Sequence, residues 1–247
     1  MRSALSGDQV SLINLLCAWN LENAGIEKGT NMFSPKVQVG QVSVRKVSAQ
    51  EDGVLSAIIA IQSQFEIVKK LMEQNEKISP TGFLISAYKA DDLKRFFDDG
   101  GQIYVAETNP ERRVVGYLLT NPGSNVVKSL AQTRLQWLDQ AVEAQYRHQY
   151  EAGAFAYLDQ VGIDLNFHGS GVSRLLLKAF ENDLTENLVL AAVVKEPVFN
   201  ERSHHFFERM GYQSLGYFLT ARLKGLENVK STIFAKTFAR RAQARSE

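Results

Sequence analysis

Residues 154–163 read AFAYLDQVGI and lead through DLNFHGSGVS (164–173) into RLLLKAFEND (174–183). The first segment alternates as a strand does, which sets Phe155, Tyr157 and Asp159 on one face. Gly162, near its end, is expected to mark a bulge or a close backbone approach. The last segment is helical, and the glycine turn joins the two. A strand that runs through such a turn straight into a helix leaves several N–H groups unpaired, with the positive end of the helix dipole behind them. That arrangement suits a phosphate or pyrophosphate. Gly169 and Gly171 leave room for a ligand to reach the amides, and Ser170 and Ser173 add hydroxyl donors. An ordinary turn, whose glycines serve only backbone geometry, fits the same residues. Two nucleotide motifs do not fit: GxxxxGK[ST] is absent, and Arg174 stands where a dinucleotide GxGxxG needs its third glycine.

Downstream, residues 188–194 (LVLAAVV) are apolar throughout, as expected of a strand covered on both faces in parallel pairing. Residues 201–210 (ERSHHFFERM) form a helix with Asn200 as N-cap and Gly211 beyond its end. Strands at 214–223 and 231–238 close the domain. Upstream, residues 41–47 (QVSVRKV) alternate as a strand, and from Ser48 the spacing of Val54, Ile58, Ile59 and Ile61 becomes helical. A loop at 79–82 and a short helix over 90–97 precede a hairpin, QIYVAE (102–107) with RVVGYLLT (113–120). Residues 126–149 carry a helical stripe of Val127, Leu130, Leu138 and Ala141, and are expected to be one inserted helix.

The chain has 247 residues, 45% of them apolar, and a formal net charge of +1. That is enough apolar material for a folded domain, and too little excess charge for a nucleic-acid or membrane-surface footprint. Cys17 is the sole cysteine, so neither an internal disulfide nor a cysteine-rich metal site is expected. The apolar run 10–21 (VSLINLLCAWNL) is shorter than a membrane span and lacks a basic approach and a cleavage site. It reads as a packing helix in an N-terminal extension, residues 1–40. The main domain is expected over 41–238, followed by a basic tail at 239–247, in a cytoplasmic protein.

The run YLDQVGID (157–164) followed by HGSGVSRLLL resembles the coenzyme-binding core of the GNAT superfamily of acyl-CoA-dependent N-acyltransferases. In that family a bulged strand leads to [QR]-x-x-G-x-[GA] and a helix. Asn200 and FFERMGY (206–212) resemble the family's next segment, an Asn, an aromatic pair and a closing G-[FY]. The resemblance implies an α/β (α+β) fold: a mixed, mostly antiparallel central sheet with a splayed parallel strand pair, flanked by helices. It also implies acetyl-CoA or another acyl-CoA as cosubstrate, with no metal. The pyrophosphate would rest on His168, Gly169, Ser170, Gly171, Val172, Ser173 and Arg174. Val161, Gly162 and Ile163 would pair with the pantetheine arm by strand addition, with Asn200 and Phe207 beside it.

Three positions depart from the family pattern. His168 replaces Gln or Arg and Ser173 replaces Gly or Ala, which a site built on backbone amides tolerates. Phe207 stands where many members carry a tyrosine that protonates the leaving thiolate. Asp159 is the expected base, Tyr157 shapes the acceptor side, and His205 is the acid candidate among His204, His205, Tyr212 and solvent. Adjacent histidines lie about 100° apart on a helix, so only one can face a cleft. The segment 68–89, with Tyr88, is expected to wall the acceptor site. The acceptor would be a small-molecule or peptide amine; a homodimer is left open. The rival reading is a catalytically silent acyl-CoA-binding or protein-interaction module of the same fold.

Overall fold

The computed structural model describes residues 41–48, 51–65, 68–79, 82–85, 87–129, 135–223 and 226–239. The expected N-terminal extension lies outside them, as does the tail from residue 240. Eight strands form one sheet: β1 (Val42–Lys46), β2 (Gln102–Thr108), β3 (Val114–Pro122), β4 (Leu135–Trp137), β5 (Ala156–Ile163), β6 (Leu188–Glu196), β7 (Gln213–Leu223) and β8 (Leu226–Thr237). Their order is β1-β2-β3-β5-β6-β8-β7-β4. Only β5 and β6 run parallel; every other neighbouring pair is antiparallel. This is the mixed sheet with a single parallel pair that the sequence implied.

Helices cover both faces. On one lie α6 (Val172–Asp183) and α7 (Glu201–Arg209), whose Leu176, Leu177, Phe180, Phe206 and Phe207 pack against Leu158, Val161, Ile163, Val189, Ala191 and Val193. On the other lie α1 (Asp52–Gln62), α2 (Val68–Glu73), α3 (Ala90–Asp98), α4 (Gly123–Ser129) and α5 (Gln140–Glu151), over Ile103, Val105, Tyr117, Leu119, Tyr157, Leu190 and Ala192. With both faces covered, β6 is buried from Leu188 through Val194, which is why its sequence is apolar without alternation. No described helix is long and apolar enough to cross a membrane.

The single helix expected over 126–149 is corrected to three elements. Helix α4 ends at Ser129, β4 pairs antiparallel with β7 at the sheet edge, and α5 starts afresh at Gln140. The break is local chemistry: the Asp139 carboxylate accepts the Val142 N–H at 2.9 Å and caps a new helix. Leu138, counted in the helical stripe, is exposed, and Leu130 lies outside the described residues. Of the closing strands, β7 matches the expected 214–223, and the last is longer than expected. β8 begins at Leu226, well before the expected residue 231, and inserts between β6 and β7.

Candidate active site

The parallel pairing of β5 with β6 covers only Ala156–Leu158 against Val189–Ala191. Beyond that the strands keep their outer partners and lose each other: β5 continues along β3 to Ile163, and β6 along β8 to Glu196. A wedge therefore opens between Asp159–Ile163 and Ala192–Glu196. Its origin is a bulge. Leu119 pairs with Gln160 and Thr120 with Leu158, so Asp159 is the extra residue. A bulge bends its strand and strengthens its twist, which turns β5 away from β6 at this point. It also shifts the facing of the strand. Ala156 and Leu158 point to the α6–α7 layer, and so do Val161 and Ile163, three and five residues on from Leu158 instead of two and four.

Of the two roles expected of Gly162, a bulge or a close backbone approach, the bulge falls instead at Asp159. Gly162 stays in register opposite Tyr117 and serves as the close approach. A Cβ there would meet the Tyr117 ring at 2.4 Å. The Tyr117 hydroxyl donates to Gln160 Oε1 at 2.6 Å.

Asp159 is fully buried on the face covered by α1 and α3. The Tyr88 hydroxyl donates to its Oδ2 at 2.7 Å, and the Tyr88 N–H donates to Gln62 Oε1, at the end of α1, at 2.6 Å. Tyr157 shares this face; burial, then the nearby Asp159 charge, pushes its phenol well above the ordinary range, so it stays protonated. The sequence places Asp159 and Tyr157 together. The partnership with Tyr88, 71 residues away, has no local signal, and neither do Gln62, Tyr117 and Gln160.

The glycine turn closes the wide end of the wedge. Asp164 caps a short 3₁₀ turn, Leu165–Phe167, and pairs with Arg113 at 2.6 Å. His168 reaches back, Nε2 to the Ile163 carbonyl at 3.0 Å, and Ser170 Oγ donates to the Phe167 carbonyl at 2.6 Å. Burial holds the His168 pKa down to about 4, so the ring is neutral and donates that bond. Gly169 (φ 73°) and Gly171 (φ 86°) both sit in the left-handed region. Among the described residues, the N–H groups of Gly169, Gly171, Val172 and Ser173 have no backbone acceptor. The Arg174 N–H instead bonds the Gly171 carbonyl at 3.1 Å.

Asn200 stands on the opposite bank at the head of α7. Its N–H donates to the Val194 carbonyl at 3.2 Å, and its Oδ1 accepts the Ser203 N–H at 3.3 Å. The Nδ2 group is buried with no acceptor among the described residues. The cap accounts for half of the side chain, and a donor is left over at the wedge. Phe207 is fully buried within Phe206, Tyr212 and Phe234. The two histidines separate as helical geometry requires. His205 is exposed between Glu201 and Glu208, so it is not brought to the bulge. His204 turns inward between Phe199 and Phe234, beside the Val194 carbonyl, and burial lowers its pKa to about 4. Tyr212 bonds Glu181 and packs behind Phe207. No metal-ligating cluster occurs among the described residues.

The acetyltransferase (GNAT) family model matches residues 66–212, more than half of the chain, and the chain belongs to that family. Its structure is similar to that of the ribosomal-protein-S18-alanine N-acetyltransferase from Escherichia coli, with a TM-score of 0.51 at 9% identity, covering 82% of this chain and 97% of that one. A variant of the spermidine N-acetyltransferase from Vibrio cholerae aligns at a TM-score of 0.49 and 14% identity, over 80% and 94% of the two chains. At these identities the likeness concerns the fold. No curated protein sequence matches the chain.

Proposed function

We propose that the chain is an N-acyltransferase that moves an acetyl group from acetyl-CoA to a primary amine by direct attack. The observation that carries this reading is the wedge itself: two parallel strands part at a bulged carboxylate, and a double left-handed glycine turn lies at the open end. The buried groups along it fit an extended amide-bearing arm. Asn200 Nδ2 is a donor without a protein acceptor, and the inner edge of Val161–Ile163 faces no neighbouring strand. The amides of Gly169–Ser173, with Arg174 and His168 supporting the turn, would hold the pyrophosphate. Phe207 and Tyr157 would flank the arm and the acceptor.

The amine must be neutral to attack. For a lysine-like amine this costs about 4.6 kcal/mol at pH 7, and for an α-amino group only about 1 to 1.5 kcal/mol. Asp159 takes the amine's proton, directly or through a water. The new C–N bond forms as the C–S bond breaks, and the Val161 N–H offers a donor to the carbonyl oxygen that gains charge. With Phe207 in place of a hydroxyl and His205 outside the site, the thiolate leaves as an anion and takes a proton from solvent. Its pKa near 8.5 permits that.

The test is free-thiol release from acetyl-CoA with cadaverine, phenethylamine and an alanine-terminated peptide. Release above background is expected with one of them, and Asp159→Asn is expected to slow it at least tenfold. Phe207 favours a second reading, a silent acyl-CoA-binding module. Calorimetric binding of acetyl-CoA with no thiol release from any amine would select it, and no heat at all would sink both.

A further inference from the structure

The polar side chains buried under the acceptor face form one connected unit around Asp159. Gln62 Oε1, at the end of α1, accepts the Tyr88 N–H at 2.6 Å, and the Tyr88 hydroxyl donates to Asp159 Oδ2 at 2.7 Å. An edge contact with Phe96 of α3, 6.0 Å between ring centroids, fixes the Tyr88 ring plane. Tyr88, Gln62 and Asp159 are all buried, so these bonds form away from bulk water, where they are strong. A phenol that donates to a carboxylate stabilises its charged, proton-accepting form and fixes which oxygen is engaged.

We infer that Tyr88 is the positioning residue for Asp159, its hydroxyl holding Oδ2 and so fixing the orientation of the bulged carboxylate for the proton transfer. This rests on the reading of Asp159 as the base. The unit spans three separate elements: α1 supplies Gln62, the segment before α3 supplies Tyr88, and β5 supplies the carboxylate. The segment expected to wall the acceptor site is thereby tied to the base, so its placement and the base's orientation are set together. Among the described residues, the titratable groups turned toward Asp159 include Tyr88 and, from its own strand, Tyr157, with Tyr150 of α5 behind Tyr157. From β3, Tyr117 reaches the neighbouring Gln160. Gln62 of α1 and Ala192 of β6 bring no charge to this layer.

The test uses the full chain with acetyl-CoA and the fastest amine of the panel above, and reads the acid limb of kcat/KM against pH. Tyr88→Phe is expected to move that limb up by about one pH unit and to lower kcat, with KM for acetyl-CoA unchanged. Site-specific 3-fluorotyrosine at position 88, a stronger donor of nearly the same shape, is expected to move it down, with an unaltered thermal midpoint. Infrared difference titration of the Asp159 carboxyl, assigned by subtracting Asp159→Asn, gives the same midpoints without an acceptor. A midpoint that stays put in the fluorotyrosine protein overturns the inference, whether or not Tyr88→Phe folds. If Asp159→Asn turns over at the wild-type rate, the base reading fails first. If it is slow while the limb ignores position 88, only the role of Tyr88 fails.

Discussion

Protonation of His204 should set a measurable part of the acid sensitivity of this fold. Its ring is buried between Phe199 and Phe234, and burial, with smaller help from Lys195 and His205, lowers its pKa from 6.5 to about 4 against the opposing effects of Glu208 and the Val194 carbonyl. The sign follows from linkage. Above pH 6.5 the ring is neutral whether the chain is folded or not, and stability is complete. As the pH falls below 6.5 the unfolded chain takes up the proton and the folded one does not, so stability is lost until about pH 4 is reached. Between pH 7.5 and pH 5 the two protonation curves separate by about 2 kcal/mol. His204→Leu removes this slope without stranding a backbone acceptor, because the Val194 carbonyl keeps the Asn200 N–H at 3.2 Å. Urea unfolding of both proteins at the two pH values reads the difference, and the similarly lowered His168 cancels because both carry it. The variant is expected to gain about 2 kcal/mol on wild type on going to pH 5. Parallel losses in the two proteins would refute the burial argument.

Gly162→Ala would place a methyl group 2.4 Å from Tyr117 Cε1 and 2.7 Å from its hydroxyl, and that ring is fully buried. Overpacking together with loss of the Tyr117–Gln160 bond should cost about 2 to 4 kcal/mol in urea unfolding, and an unchanged midpoint would argue against the close approach. Gly171→Ala puts a side chain at φ 86°, at a strain of about 1 to 2 kcal/mol, and crowds the turn. Acetyl-CoA affinity by calorimetry should fall at least tenfold. Gly53→Ala in α1, where a Cβ has nothing within 4 Å, serves as the control, stabilising by up to about 1 kcal/mol with affinity intact.

Much of the central fold was legible because its signals are local. The 102–107 and 113–120 hairpin, the uninterrupted apolar run of β6 and the Asn200 cap each follow from a few neighbouring residues, and each appears in the structure. The break in 126–149 was not read, because Val127, Leu130, Leu138 and Ala141 satisfy a helical period while the decisive residue is a single capping aspartate. Gly162 carries the glycine signal shared by bulges and close approaches and serves as a close approach; the sign of the bulge itself is apolar phase, since Leu158 to Val161 is a step of three. In the site, the glycine turn could be read from composition, and Tyr88 was placed near the acceptor. Its bond to Asp159 could not be read, since tertiary packing alone joins residues 71 apart. Which of two adjacent histidines faces inward depends on the rotation of α7, which Phe206 and Phe207 set by their packing on the sheet.

The surplus residue in β5 has an architectural meaning. Deleting Asp159 would restore an even count between Leu158 and Val161, so that plain alternation would keep Val161 and Ile163 on the α6–α7 layer while the bend was lost, making the two parallel neighbours free to zip together along their whole length. The opening in the sheet and the carboxylate at its apex therefore rest on one codon's worth of chain, and a deletion there removes both at once.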